Sequence, residues 1–83
     1  MPIVNSLGLH ARPAAEFVKT SARFVAGITV RKDALEVNGK SIMGMMMLAA
    51  ECGSMLVIRA EGPDAEEAIA ALVALVAKGF GEE

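Results

Sequence analysis

Apolar and polar positions along this chain follow two rhythms, one helical and one alternating. From Pro13 onward, Ala14, Phe17, Val18 and Ala22 recur at helical spacing with Glu16, Lys19, Thr20 and Arg23 between them. This predicts a helix from about Ala11 or Arg12 to about Phe24, with Gly27 just past it as a stop signal. Ile28-Thr29-Val30-Arg31 then alternates as a half-buried strand does, Lys32-Asp33 reads as a turn, and Leu35-Glu36-Val37 alternates again. Residues 28–38 are therefore expected to form a hairpin. Asn38-Gly39 resembles a further hairpin turn. The next residues exclude that reading, because Ile42, Met45, Met46, Ala49 and Ala50 keep helical spacing and Ser41 is a good N-cap. A second helix is expected there, ending at Gly53.

Met55-Leu56-Val57-Ile58-Arg59-Ala60 is nearly all apolar and is expected to lie at the centre of a sheet. Glu61-Gly62-Pro63 makes a turn, and Asp64 with Glu67 approximates a capping box. The third helix is predicted from Ala65 to about Lys78, burying Ala68, Ile69, Leu72, Val73 and Val76, with Gly79 as its stop. Phe80 and the residues after it carry no pattern that places them. At the other end, Ile3-Val4 could add a brief strand, held to a sheet edge because Pro2 has no N–H to donate. The resulting order is strand, helix, strand, strand, helix, strand, helix. This predicts one α/β (α+β) domain over residues 1–83, a two-layer sandwich with helices on one face of an antiparallel sheet.

Composition narrows the function. Hydrophobic residues make up 54% of the chain, enough for one packed core in a small domain. A net charge of −2 with both signs interspersed, and the absence of Tyr and Trp, argue against a nucleic-acid partner. Cys52 is the only cysteine and His10 the only histidine, so an internal disulfide or a zinc site is not expected. Cys52 reads as a small apolar packing residue. Glu66 and Glu67 interrupt the C-terminal apolar stretch, so no membrane insertion is expected, and no signal peptide is evident. These features make the cytoplasm the expected compartment.

The candidate chemistry lies in Gly8-Leu9-His10-Ala11-Arg12-Pro13-Ala14-Ala15. Pro13 suits a first helical turn, which puts His10 at or just ahead of the helix N-terminus, with Gly8 freeing the entering loop to turn. The first N–H groups of a helix lack intrahelical partners and the dipole is positive there, so an anion is favoured. Arg12 adds a guanidinium fork matched to phosphate. The positive helix end also favours neutral, nucleophilic imidazole over imidazolium. Two readings of His10 follow: a capping or loop residue, or the acceptor of a phosphoryl group.

Gly8-Leu9-His10-Ala11-Arg12-Pro13-Ala14 resembles the active-site signature of HPr, the histidine-containing phosphocarrier family of the bacterial phosphoenolpyruvate-dependent phosphotransferase system. Asn38-Gly39-Lys40-Ser41-Ile42-Met43-Gly44 is similar to the second signature of that family, at the expected distance downstream. The resemblance covers nearly the whole chain. It implies an HPr-like open-faced sandwich, βαββαβα, with a four-stranded antiparallel sheet in the order 1-4-2-3. The chain has fewer residues ahead of the Gly-x-His motif than family members usually have, so an unusually short first strand is expected.

The resemblance also implies a function. Nδ1 of His10 would accept a phosphoryl group from phosphorylated enzyme I and pass it to enzyme IIA domains in sugar transport, with Arg12 and the backbone N–H groups of Ala11 and Arg12 stabilising the charge. The chain would be a monomeric, stoichiometric carrier and not an enzyme, with no cofactor and no metal of its own. Ala15, Lys19, Ile42, Met43 and Met46 would dock partners. Methionine suits such a face, since a pliable side chain can meet several partners in turn, although Met45 or Met47 could serve the core instead. A basic family position falls at Ala22, which implies a weaker basic rim. Ser41 has a structural role as an N-cap and, by resemblance, a regulatory one as the target of an HPr kinase/phosphorylase. The alternatives are an HPr-like regulatory adaptor acting through Ser41, a nitrogen-branch phosphocarrier, and an unrelated sandwich that binds RNA or a small molecule.

Overall fold

The structure is a computed structural model, and it describes residues 2–4, 11–48, 51 and 53–81. Helix α1 spans Ala11–Ser21, strand β1 Gly27–Lys32, strand β2 Leu35–Asn38, helix α2 Ile42–Met47, strand β3 Val57–Glu61 and helix α3 Ala65–Ala77, followed by a single tight turn at Gly79–Gly81. β1 is the central strand, antiparallel to β2 on one side and to β3 on the other. Opposite residues share a face, so Ile28 and Val30, both fully buried, point into the core, while Thr29 and Arg31 lie on the open face.

The four-stranded sheet in the order 1-4-2-3 is not what forms. The described sheet has three strands, in the order β2-β1-β3. Among the described residues, the N-terminal segment forms in place of a first strand an isolated antiparallel bridge between Pro2 and Met55, flanked by Ile3 N–H donating to Ser54 O (2.8 Å) and Gly53 N–H donating to Ile3 O (2.7 Å). Proline removes one donor from any ladder built here. From Pro2 the chain runs antiparallel toward Gly53, away from Val57, so residues 3 and 4 do not extend along β3. β3 is accordingly not the central strand its apolar sequence predicts. Position in a sheet is set by which partners are available, and β1 has two.

Helices α1 and α3 cover the core face with their apolar stripes: Pro13, Ala14 and Phe17 from α1, and Ala68, Leu72 and Val76 from α3. Ile69 and Val73, expected in the α3 stripe, are only half-buried. Ile3, Ala26, Ile28, Val30, Met45, Leu48, Leu56 and Phe80 complete the core. Phe80, which the sequence pattern left unplaced, is buried because Gly79 (φ 63°) and Phe80 itself (φ 59°) turn the chain back after α3. α1 stops at Ser21, short of Phe24. The second helix stops at Met47 and does not run on to Gly53, which instead adopts φ 92° in a turn closed by Ser54 N–H to Glu51 O. Cys52, Ala49 and Ala50 lie outside the described residues.

Two contacts between distant loops tie the fold together. Asp64 precedes α3 but forms no side-chain cap there, so the expected capping box is absent. Its carboxylate accepts the N–H groups of Val25 and Ala26, both at 2.8 Å, and so grips the loop between α1 and β1. The Val25 hydrogen bond is the main reason the Asp64 carboxyl is held below the usual aspartate value, with Ala26 and nearby Lys40 acting in the same direction and desolvation opposing them. Lys40 Nζ donates to Phe24 O at 2.7 Å and holds the same loop from the other side. Gly39 is buried, and a Cβ there would sit 2.5 Å from Ile28 Cγ2 and 3.3 Å from Phe17 Cε1. Asn38-Gly39 therefore lets the backbone pass close to the core and is not a hairpin turn; Gly39 N–H donates to Ile28 O at 2.8 Å.

Two predictions arise here. Gly39→Ala forces Ile28 and Phe17 apart and is expected to cost about 1–3 kcal/mol in urea unfolding, with the fold retained. Asp64→Asn is expected to lower the melting temperature at neutral pH. Because the folded-state pKa is depressed, the aspartate's contribution is present above the usual carboxylate value of about 4 and is lost as pH falls through the lower folded value. The melting temperatures of the two proteins should therefore begin to converge as pH falls below about 4 and meet only below the lower folded value.

Candidate functional site

The described part of the site is assembled from two adjacent helices. α1 begins at Ala11, so the first-turn N–H groups at this end have no intrahelical acceptors and carry the positive end of the dipole. That turn contains no acidic residue to neutralise it. Successive helical residues are rotated by about 100°. This rotation places buried Pro13, Ala14, Phe17 and Ser21 on one side of α1 and exposed Ala11, Arg12, Ala15 and Lys19 on the other. The basic pair Arg12 and Lys19 thus faces solvent along with the helix start. His10 and Gly8 lie outside the described residues.

α2 packs against α1, and Met45 joins Ala14 and Phe17 in the shared core. The N-cap is Ser41, in extended conformation, with Oγ accepting the Gly44 N–H at 3.0 Å. Its lead-in is fixed by an Asx turn: Asn38 Oδ1 accepts the Lys40 N–H at 2.8 Å, and Ser41 N–H donates to Asn38 O at 3.1 Å. At the other end, Lys32 Nζ donates to Leu48 O at 3.2 Å, next to the last turn.

Met45 and Leu48 point inward, which leaves Ile42, Met43, Met46 and Met47 as a continuous exposed apolar strip. Among the residues expected to dock partners, Ala15 and Lys19 are thus exposed on α1, and Ile42, Met43 and Met46 on α2. Met47, which the sequence also allows in the core, is 63% exposed and belongs to the strip. The spacing from Met43 to Met46 and Met47, three and four residues, already carries that signal.

Among the described residues, no group of three or more His, Cys, Asp or Glu side chains could hold a metal ion, and no helix is long and apolar enough to cross a membrane.

An exposed helix start next to a basic pair, beside an exposed apolar helix, suits a surface that exchanges an anionic group between macromolecules. Residues 1–78 match the family model described as the PTS HPr component phosphorylation site. The phosphocarrier protein HPr of Cupriavidus necator is 46% identical over 80 residues, covering 96% of this chain and 90% of the relative. The HPr-like protein Crh of Halalkalibacterium halodurans is 49% identical over 71 residues, covering 86% and 84% of the two chains. The crystal structure of HPr-C-His from Thermoanaerobacter tengcongensis superposes with a TM-score of 0.95 at 53% identity, covering all of this chain and 93% of that one. The chain belongs to the HPr family of the phosphotransferase system.

The capping geometry yields a prediction that is independent of activity. Ser41→Ala removes the acceptor for the Gly44 N–H and should cost about 1 kcal/mol in thermal or urea unfolding. Ser41→Asn, which retains a capping oxygen, should recover most of the loss.

Proposed function

We propose that the chain is a phosphocarrier in which His10 Nδ1 accepts a phosphoryl group from phosphorylated enzyme I and delivers it to enzyme IIA domains. The observation that carries this reading is the family match over the HPr phosphorylation site, together with a solvent-exposed helix that begins at the residue after His10. In the forward step the imidazole lone pair attacks phosphorus and the bond to the donor histidine breaks. The guanidinium of Arg12 and the N–H groups of Ala11 and Arg12 stabilise the phosphoryl oxygens as charge shifts. Ala15, Lys19, Ile42, Met43 and Met46 form the docking surface. Exposure is a requirement of this chemistry, because the group must cross between two proteins twice per cycle. The carrier acts as a monomer in the cytoplasm, and sugar uptake is the process it serves.

The similarity to Crh favours a second role on the same fold, a regulatory one through Ser41. Phosphorylation by an HPr kinase/phosphorylase would place a dianion at the start of α2, where capping tolerates it, and would act by repelling partners at the adjoining face. The presence of His10 makes this an addition to the carrier role.

The test is incubation with phosphoenolpyruvate and enzyme I from the same host, followed by intact mass measurement. One acid-labile phosphate, absent in His10→Ala, is the expected result. Arg12→Ala should still accept phosphate, at a rate reduced on the order of 10²-fold. If wild-type protein stays unmodified while enzyme I phosphorylates another HPr, the carrier reading fails and the Ser41 adaptor takes its place.

A further inference from the structure

Three of the four residues of the apolar strip on α2 are methionines. Met43, Met46 and Met47 are 76%, 45% and 63% exposed, while Met45, between them in sequence, is fully buried. The three exposed thioethers lie at i, i+3 and i+4, so they project from one helical face within reach of one another. We infer that Met43, Met46 and Met47 form an oxidation site for hydroperoxides, whose conversion to sulfoxides reversibly switches off the docking face. This inference rests on the docking role proposed above for α2.

The chemistry is self-contained. A thioether sulfur attacks the distal oxygen of the hydroperoxide, an S–O bond forms, the O–O bond breaks, and water or an alcohol leaves. Sulfur is oxidised by two electrons and the peroxide is reduced by two. The product is a polar, chiral sulfoxide in place of a pliable apolar side chain. An apolar interface that has to desolvate it loses both packing and hydration energy. The same change in the core would disrupt the fold, but Met45 is shielded from the oxidant. The arrangement therefore separates the two consequences of methionine oxidation: the surface responds and the fold is spared. Both sulfoxide epimers are substrates for methionine sulfoxide reductases, which makes the change reversible.

Met55 is also exposed, at 61%, and lies outside α2 beside the Pro2 bridge, so it serves as an internal comparison. Wild-type protein and a variant with Met43→Leu, Met46→Leu and Met47→Leu are each treated with hydrogen peroxide and mapped by peptide mass spectrometry. Each is then compared with its own untreated sample for the initial rate of phosphorylation by sub-saturating enzyme I. In wild type, oxidation is expected at Met43, Met46, Met47 and Met55 well before Met45. The melting transition should remain cooperative, and the rate should fall on the order of tenfold. Methionine sulfoxide reductases should restore that rate. The Leu variant should hold its own untreated rate although Met55 still oxidises. Full wild-type rate with all three sulfoxides mapped, or an equal loss in the Leu variant, overturns the inference. Oxidation of Met45 in step with its neighbours does so too. Untreated protein that is not phosphorylated at all overturns the carrier reading itself, and the oxidation switch with it.

Discussion

The close approach of the Gly39 backbone to Ile28 and Phe17 is the constraint on which the rest of the molecule depends. Phe17 is the largest core side chain of α1, and Ile28 lies on the central strand β1. Gly39 leads into α2. A single contact therefore sets the distance between a helix, the sheet and the approach to a second helix. Glycine is needed here for lack of a Cβ, and not for an unusual φ. Once that approach is made, the Asx turn of Asn38 and the Ser41 cap determine where α2 begins, and the burial of Met45 determines which of its faces is turned to solvent.

The surface proposed to be functional is arranged on that support. The exposed faces of α1 and α2 are the complements of their buried stripes, so the residues proposed to meet partners are outward because Phe17, Ala14 and Met45 are inward. Asp64 and Lys40 do separate work: their hydrogen bonds hold the loop where α1 hands over to β1.

Much of this was legible in the sequence. Alternation in residues 28–38 marks the hairpin, although its turn falls at Asp33 and Ala34, one residue later than the expected Lys32-Asp33, because Lys32 still pairs with Leu35. The stop of α3 was readable at Gly79, and the Ser41 cap from its place before an apolar periodic run. Features that depend on residues far apart were not legible. Asp64 resembles a local cap, yet its oxygens go to N–H groups 38 and 39 residues away. Local periodicity cannot show that Phe80 turns inward or that, among the described residues, β3 pairs only with β1 and the proline-led N-terminal segment contributes one bridge in place of a ladder. The outward placement of Arg12, Ala15, Lys19, Ile42, Met43 and Met46 agrees with what motif and spacing suggest. The outward direction of Met47 is not legible from composition, since methionine alone does not say which way a helix faces.

The six residues of α2 have a consequence for the distribution of stability across the fold. A helix this short cannot sustain itself in water, and α2 anchors a single residue of its own, Met45, in the core. β1, by contrast, is hydrogen-bonded along both edges and buries Ile28 and Val30. Amide exchange in α2 is therefore governed by local opening, at a free energy below that of global unfolding, whereas β1 exchanges only when the whole domain unfolds. The surface proposed to meet other proteins is mounted on a six-residue helix that does not support itself. It can reshape against each partner without loosening the sheet beneath it.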